Sequence, residues 1–356
     1  MSNINTLRKE IDNGRLGRNV GISTGLDKLD SLIYGIQRKY LYLVGSDSGS
    51  GKSSFVIDIF IYNLFKNKGK KDISVLLYSF EMSSSVVFAK VLSLYIWETF
   101  EVVVTYEDIL SLSKPISTEN YEYVQKGLAW LEDIQQYITI YDKSLKPTGI
   151  YATCKEWLKK FGEFIPISEH KEDYKENNPN MYKIVICDHL GLLDHGGNKK
   201  AAMDLVADYF IYFRNKCSIT GVFVQQLNRN SKSVERKTNG FEMLDTADLS
   251  DSSGPAQAAE TIILIYYPYR EKIARVDGYS IQNGLKHKGR VLQIVKNRFG
   301  RSDLNITTVF HGEIGMFCEL PPAYDIGDYS KYTELQKKRD EVKINTDEGN
   351  SNTFKF

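Results

Sequence analysis

The feature that most constrains what this chain can fold into is the stretch YLYLVGSDSGSGKSS at residues 40–54. An apolar run from Leu41 to Val44 feeds a turn of glycines and serines, and a helical pattern begins at Lys52. This is the strand, loop and helix order that a phosphate-binding loop requires. Small residues at Gly45, Ser46, Gly49 and Gly51 let the backbone curl until successive N–H groups converge on an anion. The helix that follows adds its positive N-terminal end. The candidate nucleotide contacts are Ser46, Asp47, Ser48, Gly49, Ser50, Gly51, Lys52, Ser53 and Ser54. In this reading Lys52 reaches the β- and γ-phosphates of ATP, and the Ser53 hydroxyl holds Mg²⁺. The spacing departs from G-x-x-x-x-G-K-[ST], because Ser46 stands at the first glycine position with Gly45 just before it. The competing reading is an ordinary glycine-rich turn with a chance lysine.

The rest of the chain supplies the sheet that such a loop needs. Apolar runs at 73–80 (ISVLLYSF), 181–188 (MYKIVICD), 221–225 and 261–267 (TIILIYY) have the unbroken character of strands buried on both faces. Helical patterns separate them, so the expected fold is α/β, with a mostly parallel central sheet flanked by helices. Further strands are expected at 137–142, 291–295 and 306–309, and helices near 149–161 and at 203–216. The polar stretch HKEDYKENNPN at 170–180 reads as a surface loop. Residues 1–20 read as a short amphipathic helix with Ile4, Leu7 and Ile11 at helical spacing, which must dock on its own domain or on a neighbour. Residues 21–324 then make the ATPase domain, and the charged, apolar-poor 325–356 a flexible tail.

Net charge over the 356 residues is only +1, so no global field draws the protein to nucleic acid, and any such contact must be local. Cys154, Cys187, Cys217 and Cys318 are scattered without zinc or redox spacing. No signal peptide or membrane-length apolar run is present in the sequence, which points to the cytoplasm.

Four further segments cluster around the loop in this reading. Asp188 ends an apolar strand, where a carboxylate beside a phosphate loop can hold Mg²⁺ directly or through water. Glu81 follows another strand, and either polarises the attacking water or merely caps the next helix. Gln225-Gln226-Leu227-Asn228-Arg229 ends the strand at 221–225, where an amide can report loss of the γ-phosphate. Lys296-Asn297-Arg298 would be plain surface charge in a monomer, but in a ring could reach a neighbour's nucleotide.

In order, these motifs resemble replicative DNA helicases of the DnaB type, within the RecA-like ATPase superfamily. The resemblance covers roughly residues 21–320. GISTGLDKLDSLIYGIQ is similar to the family's leading segment, and SDSGSGKSSF to its phosphate loop. YSFEMS resembles its S-L-E-M-S motif, which implies that Glu81 activates water. IVICDHLGLLD resembles its Walker B strand, with Asp188 as the metal-linked aspartate. VQQLNR resembles S-Q-L-N-R, with Gln226 as the γ-phosphate sensor, and IVKNRFG resembles K-x-R-x-G, with Lys296 and Arg298 as the trans-acting pair. The resemblance implies ATP and Mg²⁺ as cofactors and single-stranded or forked DNA as substrate. It also implies a linker role for the helix in residues 1–20, a homo-hexamer, a primase or helicase loader as partner, no membrane, and 5′→3′ movement.

Two departures qualify it. The family loop that touches DNA reads about S-D-L-R-E-S-G. Here it is Asp248 to Gly254, with Gly254 retained and Asp251 in the arginine's place. A carboxylate repels phosphate, so this loop is expected to use backbone N–H groups and the hydroxyls of Ser252 and Ser253. Lys199, Lys200, Arg229, Lys232, Arg236 and Lys237 are the candidate compensating cations, although each alone reads as ordinary surface charge. The second departure is that only about twenty residues precede the ATPase core, where bacterial members carry a helical collar domain. That layout is more like a reduced, phage-encoded helicase than a cellular one. The expected function is therefore an ATP-dependent ring helicase. The alternatives are a RecA-like ATPase that is not a helicase, such as a strand-exchange or regulatory ring ATPase, and a protein whose nucleotide site is only structural.

Overall fold

Every residue of the apolar run before the phosphate loop is buried, and the sheet is built outward from it. The computed structural model describes residues 3–17, 19–68, 72–169, 171–228, 244–249 and 252–335. Helices α1 (Asn3–Arg15) and α2 (Asp27–Ile33) lead to β1 (Leu41–Ser46). After the loop come α3 (Lys52–Ile57), a π turn (Asp58–Tyr62), α4 (Asn63–Lys68) and β2 (Ile73–Ser79). Then follow α5 (Ser84–Phe100), α6 (Tyr106–Ile109), α7 (Thr118–Gln135), β3 (Ile138–Tyr141) and α8 (Pro147–Leu158). A hairpin of β4 (Gly162–Ser168) and β5 (Lys171–Glu176) precedes β6 (Tyr182–Asp188), α9 (Lys199–Cys217) and β7 (Ile219–Gln226). The last part holds α10 (Gly254–Ala258), β8 (Thr261–Tyr266), the short pair β9 (Arg275–Val276) and β10 (Tyr279–Ser280), β11 (Gly289–Asn297), β12 (Leu304–His311), β13 (Met316–Glu319) and α11 (Ser330–Thr333).

Nine of these strands form one sheet in the order β13-β12-β11-β8-β1-β7-β6-β2-β3. From β8 to β3 the neighbours are parallel, and β11, β12 and β13 add an antiparallel edge. This is a RecA-like α/β core. The unbroken apolar runs follow from burial of both faces. Tyr42 and Val44 face a core roofed by α2, α3, α5 and α7, whereas Leu41 and Leu43 face one roofed by α8 and α9.

Two expectations are corrected. The 170–180 stretch is not a surface loop: residues 171–176 pair antiparallel with 162–168. Its polar sequence hides the strand because one side chain, Tyr174, supplies the buried face and donates its hydroxyl to Leu158 O at 2.7 Å. The helix expected at 203–216 begins at Lys199, because the Asn198 side chain caps it by accepting the Ala201 N–H at 3.1 Å. Of the expected tail, residues 325–335 are described: Tyr329 and Tyr332 pack on the cluster of Val291, Val309 and Leu320, and the Tyr329 hydroxyl accepts the Ser280 N–H at 2.8 Å. Residues beyond 335 lie outside the described residues. Ile4, Leu7 and Ile11 stay more than half exposed along α1. Cys154, Cys187 and Cys217 are buried free thiols. Among the described residues no helix is long and apolar enough to cross a membrane.

The π turn after the phosphate loop presents Asp58 to the sheet's far edge. Its buried carboxylate accepts the Phe317 N–H at 2.8 Å and the Asn63 side-chain amide at 2.9 Å, tying β13 to the helix that carries the loop. Burial pushes this carboxyl up to about 8, against the Phe317 hydrogen bond. The folded chain therefore keeps a proton that the unfolded chain releases, and stability falls as pH rises from about 4 to about 8. Asp58→Asn, which has no proton to lose, is expected to flatten the fall in melting temperature across this window; a slope like that of the unsubstituted chain would count against this origin.

Candidate active site

Four adjacent parallel strands end along one edge of the sheet, where ligands of open α/β folds bind. Ser46 at the end of β1 lies opposite Gln226 at the end of β7, and Asp188 at the end of β6 lies opposite Ser79 of β2. The loop between β1 and α3 turns on Gly49 and Gly51, at φ +73° and +100°. Gly51 caps α3 without any side chain in the way, so the first N–H groups of the helix stay open. Ser46 is not among the left-handed residues, so its position does not need glycine. At Gly45 a Cβ would come within 2.5 Å of Leu264 Cδ2 and 2.8 Å of Leu249 Cδ2, so those side-chain ends would have to move.

Lys52 is almost buried, and its Nζ lies 3.9 Å from Glu81 Oε2. Ser83, not Glu81, occupies the N-cap of α5, so Glu81 is turned to the loop rather than to the helix. Asp188 is 2% exposed, and its Oδ1 is buried without a hydrogen-bond partner. Burial pushes its carboxyl up to about 6, opposed by the Ser53 hydrogen bond and the Lys52 charge and reinforced by Glu81. An orphaned carboxylate oxygen next to the Ser53 hydroxyl is a fitting partner for a divalent cation, directly or through its water shell.

Two residues that the motifs do not include complete the loop. Arg290 Nε donates to Ser50 O at 2.9 Å, and Arg270 Nη1 donates to Ser48 O at 2.8 Å. In a trans peptide the N–H opposes the carbonyl, so these arginines turn the N–H groups of Gly49 and Gly51 towards the anion side. Arg290 is buried with its guanidinium 3.6 Å from the Tyr267 ring centroid, and desolvation lowers its pKa to about 10. No local pattern marks it: it is simply the residue before an apolar run, the second residue of β11, brought to the loop because β11 runs antiparallel and starts at this edge. Losing one charge-assisted hydrogen bond costs about 1.5–3 kcal/mol, so Arg290→Met is expected to weaken nucleotide binding about tenfold or more. A fluorescent-nucleotide titration at matched folding would show it, and unchanged affinity would refute the brace.

Lys296 and Arg298 are not brought to this site. Between residues 290 and 298 a strand rises about 25 Å, which carries the pair to the opposite edge of the sheet. There Lys296 Nζ donates to the carbonyls of Ala256 and Gln257, at 2.8 and 3.1 Å. Arg298 donates to Glu260 at 3.2 Å while its side chain stays half exposed. Glu260 is buried, and also accepts Arg214 and the Leu41 N–H.

The DNA candidates are divided. Lys199 and Lys200 stand in the first turn of α9 rather than in a loop. Arg229, Lys232, Arg236, Lys237 and Asp251 lie outside the described residues. Ser253 is exposed, but Ser252 is buried and its hydroxyl donates to Asp204 while accepting the Gly254 N–H at 3.0 Å. In this chain the Ser252 hydroxyl and the Gly254 N–H, both expected at the DNA, make hydrogen bonds within the chain.

Residues 21–319 match the family model described as the DnaB-like helicase C-terminal domain. Among solved structures, one described as an ATPase domain is similar at 20% identity and a TM-score of 0.66, over 89% of this chain and 97% of that one. A DnaB-like replicative helicase, solved for its interactions with primase, is similar at 18% identity and a TM-score of 0.65. That match covers 89% of this chain and 66% of the other. No curated protein matches.

Proposed function

The chain belongs to the DnaB-like helicase family, matching its C-terminal domain, and we propose that it works as an ATP-driven ring, a hexamer, that moves on single-stranded DNA and unwinds duplex during replication. The observation that carries this reading is the separation of the two cation sets by the height of the sheet. A chain with Lys52 at one edge and Lys296 and Arg298 at the other holds two halves of a site that meet only when copies pack edge to edge. Half exposure of Arg298 leaves it able to reach across. The apolar face of α1, left open in the single chain, suits a linker that docks on the next subunit.

In this mechanism the N–H groups of Gly49 and Gly51 and the Lys52 ammonium bind the phosphates. Ser53 and Asp188 would hold Mg²⁺, which when bound offsets phosphate charge. Glu81, solvent-accessible beside Lys52, holds the attacking water and takes its proton. Gln226 meets the γ-phosphate at the end of β7, and Arg298 from the next copy stabilises charge as the terminal phosphoryl group leaves. The similar helicase studied with primase makes a primase a reasonable partner, alongside a loader. The second reading, a RecA-like ATPase without unwinding activity, would use the same phosphate chemistry.

Strand displacement on a forked duplex separates the two, run beside hydrolysis with and without single-stranded DNA. Displacement that needs a 5′ tail is expected, and stimulated hydrolysis without displacement, even on a fork with a single-strand entry site, would favour the second reading. Lys52→Ala is expected to abolish nucleotide binding or turnover. Arg298→Ala should lower turnover by about 10³-fold or more while single subunits still bind nucleotide. Near-normal turnover in either variant would defeat the corresponding assignment.

A further inference from the structure

The segment from Ser252 to Glu260 is short and tied at every step. At its start, Gln225 Nε2 donates to Ser252 O at 3.1 Å in a buried contact, so the turn is attached to the strand end next to Gln226. The Ser252 hydroxyl donates to Asp204 on α9, and the Gly254 N–H donates back to that hydroxyl. The fit is close: a Cβ on Gly254 would stand 2.2 Å from Asp204 Oδ1. From Gly254 the chain enters α10, whose carbonyls at Ala256 and Gln257 take the Lys296 ammonium. It ends at Glu260, which takes Arg298. One stretch of nine residues thus touches the strand end at the chain's own nucleotide edge and both cations meant for the next copy.

We propose that Asp204 is the positioning residue of this relay: by fixing Ser252 and Gly254 against α9 it makes residues 252–260 move as one body, so that DNA contact at this turn, where Ser253 is exposed, reaches both half-sites. Asp204 touches neither nucleotide nor DNA in this account, and acts only through the turn it holds. A carboxylate accepts a hydrogen bond near each end of the segment, Asp204 from Ser252 and Glu260 from Arg298, and this gives the short helix two fixed points. Without the first, the turn loses its fixed point on α9, and a displacement at Ser253 is absorbed locally instead of being passed along α10.

The inference rests on the helicase reading, and the test separates the two. Hydrolysis is measured with and without a single-stranded oligonucleotide for the unsubstituted chain, Asp204→Ala, Asp204→Asn and Gly254→Ala. In Asp204→Ala the ratio of stimulated to basal hydrolysis is expected to fall at least fivefold. Asp204→Asn, which keeps an acceptor for the Ser252 hydroxyl, should recover most of the ratio. Gly254→Ala should lower the ratio in the parent chain and add little once Asp204 is alanine, because the clash and the anchor are the same contact. A stimulated parent with an equally stimulated Asp204→Ala overturns the inference alone. So does a variant that loses basal and stimulated rates in parallel, since that is the mark of a purely structural role. If Asp204→Ala does not fold, Asp204→Asn and Gly254→Ala decide by the same ratio. A parent chain whose hydrolysis ignores DNA overturns the helicase reading, and this inference with it.

Discussion

The phosphate loop can bind an anion only if its carbonyls point elsewhere, and two arginines take them. Ser48 O and Ser50 O are held by Arg270 and Arg290, which leaves the opposed N–H groups for the ligand side. Much of the fold exists to bring those arginines there. Arg290 arrives because an antiparallel strand is added next to β8 and starts at the edge where the parallel strands stop. Its charge is tolerated in a buried position because Tyr267 and Phe310 face the guanidinium and three backbone carbonyls accept its protons.

The same antiparallel strand divides the chemistry. One end of β11 braces the chain's own loop, and the other carries Lys296 and Arg298 about 25 Å away. The proposed ring makes use of that distance, because a cation held by Glu260 in one copy becomes available to the site of the next. Glu260 also anchors Arg214 and the first N–H of β1, so the outward-facing cation is mounted on the sheet itself.

Some of this was legible from residues alone. The parallel sheet followed from unbroken apolar runs, because a strand buried on both faces has no polar alternation to show. The convergence of Ser46, Asp188, Gln226 and Glu81 followed from their places at strand ends. The hairpin at 162–176 was not legible, since it turns one aromatic side chain inwards and otherwise looks like a loop. Nor was the packing of Tyr329 and Tyr332, which sit singly on a distant cluster and give no periodic signal.

Local order along the chain was enough to specify the loop, its helix and the carboxylates near it, because phosphate chemistry demands particular residues at short spacing. It could not show that Arg270 and Arg290 brace the loop, that Glu260 holds Arg298, or that Ser252 donates to Asp204. Each of those contacts joins residues from 38 to 240 positions apart. Their partners are chosen by sheet order and strand direction, which emerge only when the whole core packs.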